Sequence, residues 1–363
     1  MDPILLIAQL MLMGFSLLGV GVAEPALQES HLLRLGVALL VTFLACWLSP
    51  RFLTRHARLL YLAALGFLVA VLFIGEGPAG VRRWFDLRFF NFQPSELMKV
   101  AMVIYLAAFF HQRGTDYPIL GPVLAVGFAA GLVIIEPDFD TGIFILVLAA
   151  FMLIVIGVPW RRLLAIGASA SFIAMTMLGL YLDRFSYVRE RFDGWVATLS
   201  GKADVTGTAY QVTQAQKVIV GAGPLGQGPG AVLPHLPEGH NDMVFASVIW
   251  AGGWFAGLMV LLAFGLIFAR GMQIAARTQG AGSVMALGLT GYLTLQAANN
   301  IGVVMGFLPV SGSALPLVSY GGSSMFVAGL ALGLLHALAR EALRNQPEPK
   351  DTASRGDRRG AKA

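Results

Sequence analysis

Apolar runs of roughly 17 to 27 residues, the length a tilted helix needs to cross a hydrocarbon core, recur about ten times in this chain. They fall near 4–22, 32–48, 59–75, 95–111, 118–135, 142–158, 162–182, 243–269, 283–305 and 323–340. The pattern predicts an all-α polytopic membrane protein. Residues 1–345 read as a single ten-span membrane domain, with one large extracytoplasmic loop, 183–241, between the seventh and eighth spans. Composition agrees, since 57% of the 363 residues are apolar and 12% charged, against about 25% charged in a soluble domain. The first run lacks a basic flank and a small-residue cleavage site, so it reads as a retained span.

Charge placement orients the spans. Arg51, Arg55 and Arg58, then Arg113, Arg161 and Arg162, then Arg270 and Arg277 fall on one side with the basic tail. By the positive-inside tendency that side is cytoplasmic, and both termini lie there. Glu24 and Glu29, then Glu136, Asp138 and Asp140, and the long loop 183–241 lie outside. The tail, 346–363, is polar and rich in Pro, Gly and charge, which predicts a disordered cytoplasmic end. The net charge of +5 is scattered over loops and tail, so it does not make a nucleic-acid-binding face. Cys46 is the single cysteine, which excludes a disulfide framework and a thiolate metal site.

Several outer segments carry chemistry. The stretch 233–253 puts Glu238, His240 and Asp242 directly before a span. Asp242 stands where loop meets bilayer, partly shielded yet reachable, a suitable place for a general base. The outer loop 80–91 breaks the charge rule with Arg82, Arg83 and Arg88. Guanidiniums match phosphate oxygens, but lipid headgroups or Asp86 would also hold them. Pro94 suits a first helical position, and Glu96 and Lys99 share a helix face. They form either a structural ion pair or a cavity wall touching substrate. Glu136, Asp138 and Asp140 are oxygen ligands that would suit a divalent cation, Mg²⁺ or Mn²⁺; a solvated connector is the plainer alternative, and no cofactor is firmly implied.

Within the long loop, 210–220 reads as a short surface helix. The glycine-rich 221–230 reads as tight turns over the membrane surface, because no Gly-Lys-Ser/Thr follows to make a nucleotide loop. The stretch 307–324 is too broken by Pro and Gly to span, and reads as a re-entrant or surface loop closing an outer cavity. Asn299 and Asn300 read as helix–helix hydrogen-bonding residues.

Taken together, Arg83-Trp84, the run Gln93-Pro94-Ser95-Glu96-Leu97-Met98-Lys99, Pro137-Asp138, Leu236-Pro237-Glu238 with His240-Asn241-Asp242, and Leu315-Pro316 with Ser319-Tyr320-Gly321-Gly322-Ser323-Ser324 resemble the SEDS (shape, elongation, division, sporulation) family over nearly the whole chain. The resemblance implies a bacterial inner-membrane glycosyltransferase, RodA-like or FtsW-like, that polymerises lipid II for elongation or division and works with a class B penicillin-binding protein. It assigns Asp242 to the essential aspartate, Glu96 and Lys99 to a cavity pair, and Arg83 to the basic residue before the Gln93–Lys99 helix. Arg82, Glu238, His240, Ser319 and Tyr320 join them as substrate-binding candidates. The chain departs from the family pattern at Trp250-Ala251, where two glutamates are usual, at Asp140, usually glycine, and at Asn241, usually threonine. A flippase for lipid-linked sugars and a non-catalytic scaffold for the crosslinking enzyme are the alternatives, and neither needs a base at Asp242.

Overall fold

In the computed structural model, residues 1–77, 81–87, 91–169, 186–199 and 207–344 are described. The helices begin and end where local chemistry says they should. Helix α1 (Pro3–Ala23) starts on Asp2, whose carboxylate accepts the Ile4 and Leu5 amides at 3.2 and 3.3 Å, with proline at the first helical position. A 3₁₀ turn (Pro25–Leu27) leads into α2 (Gln28–Ala45). Helix α3 (Pro50–Ile74) again opens on proline and stops at Gly75. Strands β1 (Phe85–Asp86) and β2 (Asn91–Phe92) make a small antiparallel hairpin, pairing Phe85 with Phe92. Helix α4 (Pro94–Arg113) follows, then α5 (Leu120–Ile135) and α6 (Phe139–Ile156), which Asp138 caps through the Thr141 amide. Helical residues 160–169 form α7.

Beyond it, α8 (Ser186–Leu199) and α9 (Thr208–Ala222) belong to the long loop, and the bundle closes with α10 (Val244–Arg277), α11 (Ala281–Val304) and α12 (Gly322–Arg344). Helix α1 packs along α10, α2 along α12, α3 along α4, and α10 also along α11 and α9. Helix α12 is the most enclosed span. Its Gly329 and Gly333 face α2, where an added Cβ would lie 2.5 Å from the Ala38 carbonyl and from Ala45. A pair of small residues four apart lets two backbones approach in lipid, where dispersion has to supply the association.

Among the described residues six helices are long and apolar enough to cross a membrane: Pro3–Ala23, Pro25–Ala45, Pro50–Ile74, Phe139–Ile156, Val244–Arg277 and Gly322–Arg344. The chain is a multi-pass, all-α membrane protein. Helix α4 begins with the charged Glu96 and Lys99, α5 has only 16 residues, and α11 carries the polar Gln296, Asn299 and Asn300, so these three are not among the six. The seventh span, 162–182, is helical over its described part and otherwise lies outside the described residues, as do Arg88 and the tail 346–363.

One expectation is corrected and a second extended. The eighth span is not one continuous helix, because Gly253 interrupts it with φ 75° and ψ −176°. The glycine-rich turns do more than cover a surface: they dock against that interruption, and the helix before them, α9, packs on α10 and α11.

Candidate active site at one end of the bundle

Residues 237–243 form a compact turn leading into α10. Glu238 adopts a left-handed conformation, φ 55°, that a non-glycine residue accepts only at a cost of order 1 kcal/mol. Its carbonyl then receives the amides of Asn241 and Met243, both at 3.0 Å. The carbonyls of His240, Asn241 and Asp242 are held from outside the turn. Tyr320 N–H donates to His240 O at 2.9 Å, Ser319 Oγ–H to Asn241 O at 2.8 Å, and Asn300 Nδ2–H to Asp242 O at 2.8 Å. Three successive peptide groups fixed by three side or main chains give the Asp242 carboxylate a defined place.

The loop 305–321 supplies this cradle, and α11 holds the loop. Asn299 donates to Ser311 and Ser313 hydroxyls at 2.9 and 2.7 Å, Asn300 to Ser313 O at 2.8 Å, and Gln296 to Ala314 O at 3.0 Å. The asparagines therefore bind this irregular loop, Asn299 through serine hydroxyls and Asn300 through main-chain carbonyls, rather than a neighbouring helix. Non-helical backbone at membrane depth must find partners inside the protein, and these amides are those partners. The reading of 307–324 as a loop closing an outer cavity agrees with this arrangement.

Beside Asp242 the packing leaves space at Gly312. A Cβ added there would stand 3.7 Å from Asp242 Oδ2 and 3.9 Å from Asp140 Oδ2. On one side of Gly312 lies a polar cavity of about 290 Å³ whose walls include Arg34, Gln93, Glu96, Asn241, Tyr320 and Ser323. Asp140 and Arg191 border a separate, mainly apolar cavity of about 540 Å³ with Phe139, Phe144, Leu295 and Leu308. Asp242 is partly buried, and among the described residues no hydrogen-bond donor reaches its carboxylate. Burial foremost, then the Glu238 charge and, more weakly, Asp140 and Asp138 push its pKa up to about 7, against the pull of Arg191.

The other candidates sort by what they touch. Lys99 Nζ reaches Glu96 Oε1 at 2.7 Å and Gln296 Oε1 at 2.8 Å, with the Phe144 and Tyr292 rings 5.1 and 5.4 Å away. Both charges are buried, and Glu96 also lines the polar cavity, so the pair is at once structural and part of the wall. Arg83 donates through Nε to Glu136 O at 2.8 Å and through Nη2 to Pro137 O. Arg82 donates to the Leu72 and Phe73 carbonyls at the end of α3, at 3.1 and 2.7 Å. Ser319 accepts the Leu315 amide at 2.8 Å in addition to donating to Asn241. Tyr320 shares a 2.8 Å hydrogen bond with Ser30, and its ring lies under Arg34. His240 stacks edge-on to Tyr320, and Glu238 is exposed, bonded to Asn241 at 3.0 Å.

Three contributors escaped the sequence reading. Arg34 on α2 donates to Tyr320 O at 2.7 Å and covers that ring at 3.7 Å; a lone arginine inside an apolar span was its signal. Gln296 stands one turn before Asn300 and was the same kind of signal. Arg191 pairs with Asp140, whose carboxylate also accepts the Gly312 amide at 3.2 Å; nothing local in the sequence marks that pairing.

The acidic connector fits a divalent cation poorly. Asp138 caps α6 and accepts Gln93 Nε2–H at 2.9 Å, while Asp140 is engaged by Arg191. The Glu136 carboxyl is buried, and burial, with repulsion from Asp138, pushes it up to about 8 against the pull of Arg83. Among the described residues no three His, Cys, Asp or Glu side chains converge on one point.

The chain is similar to known proteins over most of its length. The chain is 33% identical over 353 residues to the peptidoglycan glycosyltransferase MrdB of Escherichia coli strain K12, with 93% of each chain covered. It is 35% identical over 362 residues to the probable peptidoglycan glycosyltransferase FtsW of Halorhodospira halophila, covering 94% of this chain and 84% of that one. A chain from a structure on the coordination of polymerization and crosslinking by a peptidoglycan synthase complex superposes with a TM-score of 0.79 at 29% identity, over 95% of this chain and 99% of that one. The crystal structure of the rod shape determining protein RodA of Thermus thermophilus gives 0.69 at 27% identity, over 95% and 98%. The family model described as cell cycle protein, for FtsW, RodA and SpoVE, matches residues 4–344, and the chain belongs to that family.

Proposed function

We propose that the chain is a peptidoglycan glycosyltransferase that joins lipid II units into glycan strands, with Asp242 as the general base. The observation that carries the reading is the Asp242 carboxylate itself: fixed through its backbone, free of any donor among the described residues, and close to Gly312, which lines the polar cavity. The polar cavity suits the sugars and pyrophosphate of a lipid-linked substrate. The apolar one suits the start of its isoprenoid tail.

In the step proposed, the 4-hydroxyl of the acceptor's terminal sugar gives its proton to Asp242 as its oxygen bonds to the donor's anomeric carbon. The bond from that carbon to the pyrophosphate oxygen breaks, and undecaprenyl pyrophosphate leaves with the electron pair. Attack from the face opposite the leaving group inverts the anomeric centre. A base near pKa 7 is matched to this task at neutral pH. Arg34, facing the polar cavity, and Arg83, beside the acidic connector, are the cations placed to offset charge on the pyrophosphate, a form of stabilisation that gains strength where water is excluded. No step is routed through a metal ion.

The crosslinking partner is a class B penicillin-binding protein, the site faces outward from the bacterial inner membrane, and both termini are cytoplasmic. Glycan-strand synthesis from purified lipid II by the full chain with its partner, compared with Asp242→Ala and with and without chelator, tests the proposal. Polymer lost in the variant supports it. Full polymerisation by Asp242→Ala removes the base, and no polymer from a well-folded complex moves the reading to a flippase or scaffold. Loss of polymer on chelation restores the cation.

A further inference from the structure

Helix α10 is broken in an unusual way. In an uninterrupted α-helix the Trp254 amide would bond to Trp250 O and the Phe255 amide to Ala251 O, four residues back. Both bonds are absent here, and all four groups are taken by one turn of the long loop. Gln227 N–H donates to Trp250 O at 2.8 Å and Gly228 N–H to Ala251 O at 3.0 Å. Trp254 N–H donates to Gly223 O at 3.1 Å and Phe255 N–H to Pro224 O at 3.3 Å. The turn 223–228 is thus inserted between two rungs of the helix ladder, like a strap passed through it.

Two glycines make the insertion sterically possible. A Cβ on Gly226 (φ 76°) would lie 2.4 Å from the Gly253 nitrogen and 2.5 Å from the Ala251 oxygen, and a Cβ on Gly253 would lie 2.1 Å from the Pro224 oxygen. Gly228 (φ 96°) and Gly230 face open space. The break stands nine residues into α10, about 14 Å along its axis at 1.5 Å per residue, so the turn docks within the apolar span. Exposed peptide groups are costly there, and mutual satisfaction explains why a glycine-rich loop sits at that level.

The strap also has firm ties on both sides. Gln227 Nε2–H donates to the Gly221 and Ala222 carbonyls at 3.1 and 3.4 Å, and Trp254 Nε1–H to Ile219 O at 3.0 Å, which binds the turn to the end of α9. The half-helix 244–252 is tied to the Asp242 turn, since Ser247 Oγ–H donates to Gly239 O at 2.7 Å. It also lies close against α1, where a Cβ on Gly19 would stand 2.5 Å from Val248.

We propose that the turn 223–228 is a positioning device for the known reaction: it couples α9 to the half-helix 244–252 and so sets the depth and rotation at which Asp242 is presented. Gly226 and Gly253 are its positioning residues. The functional part rests on Asp242 being the base, whereas the strap itself is read from amide exchange, which is independent of the chemistry.

The test uses the full-length protein with its crosslinking partner. In the unmodified chain the amides of Gln227, Gly228, Trp254 and Phe255 should exchange as slowly as those of the helix interior; fast exchange at Gln227 and Gly228 overturns the strap. Gly226→Ala should speed exchange at all four and lower kcat for lipid II polymerisation by about 10- to 100-fold, the cost of a misplaced catalytic group, with KM within twofold and partner binding retained. Gly230→Ala should change none of these. Where Gly226→Ala does not fold, Gly228→Ala, which adds backbone strain without a clash, should show the same kcat-only loss at smaller size. Faster exchange with unchanged kcat in either variant ends the positioning role. Full activity of Asp242→Ala would instead remove the base and leave the strap standing.

Discussion

Asp2, buried, and Asp242, partly buried, are carboxylates at opposite ends of α10, and their surroundings differ in kind. Asp2 caps α1 and receives Arg270 Nε–H and Nη2–H on one oxygen at 2.9 and 2.7 Å, while its amide donates to His336 Nδ1 at 3.0 Å. Burial alone would raise its pKa, but the Arg270 hydrogen bond and the Leu5 amide outweigh that and hold it below the usual value. Asp242 has its main chain bound three times over and its carboxylate left without a donor among the described residues; burial and the Glu238 charge then win. A carboxylate that holds structure together is neutralised by a partner. One that takes a proton at neutral pH is fixed through its backbone and kept short of partners.

The contrast can be broken in order of effect. Asp242→Ala should lower polymerisation by about 10²- to 10⁴-fold, the usual cost of losing a general base, with thermal stability in detergent little changed. Asp2→Ala should do the reverse: it removes a cap and two charge-assisted hydrogen bonds, a loss of about 3 kcal/mol seen as a lower Tm, while activity per folded molecule stays the same. Equal activity losses in the two variants would abolish the distinction.

Acidity gives the next effect. Since Asp242 must be unprotonated to act, and its pKa is raised to about 7, kcat/KM should rise with pH through neutrality and fall about tenfold between pH 8 and pH 6. A profile flat down to pH 5 would show that a carboxylate of ordinary acidity, or none, limits the step. The smallest effect separates two roles for Ser319. As a cradle residue, Ser319→Ala should lose about 1 kcal/mol, a several-fold fall in kcat with KM unchanged. A rise in KM at constant kcat would return Ser319 to the substrate-binding set.

Much of this arrangement was legible in the residues. Pro3, Pro50 and Pro94 mark helix starts, Gly157 in a left-handed conformation ends α6, and Asp242 stands at the loop–span junction where the structure has it. The pairing of Glu96 with Lys99 follows from spacing alone. Arg82 and Arg83 read as binders of phosphate, lipid headgroups or Asp86, and nothing local reveals the carbonyls of α3 and of the α5–α6 connector that the fold also brings to them. Asn299 and Asn300 read as links between helices for the same reason, although the loop they bind begins only a few residues later.

Hydropathy, proline and glycine placement and charge bias act over a few residues, so the sequence by itself determined an all-α, multi-pass chain with its polar motifs gathered at one end. The tertiary structure alone decided that α10 breaks at Gly253, that the turn 223–228 completes its ladder, that Arg191 reaches Asp140, and that Ser319 and Tyr320 hold the carbonyls before Asp242. Each of these is a pairing between segments some 25 to 80 residues apart. In lipid a peptide group that leaves its own helix has to be satisfied by whatever the bundle places beside it, and that neighbour is set by packing rather than by local sequence.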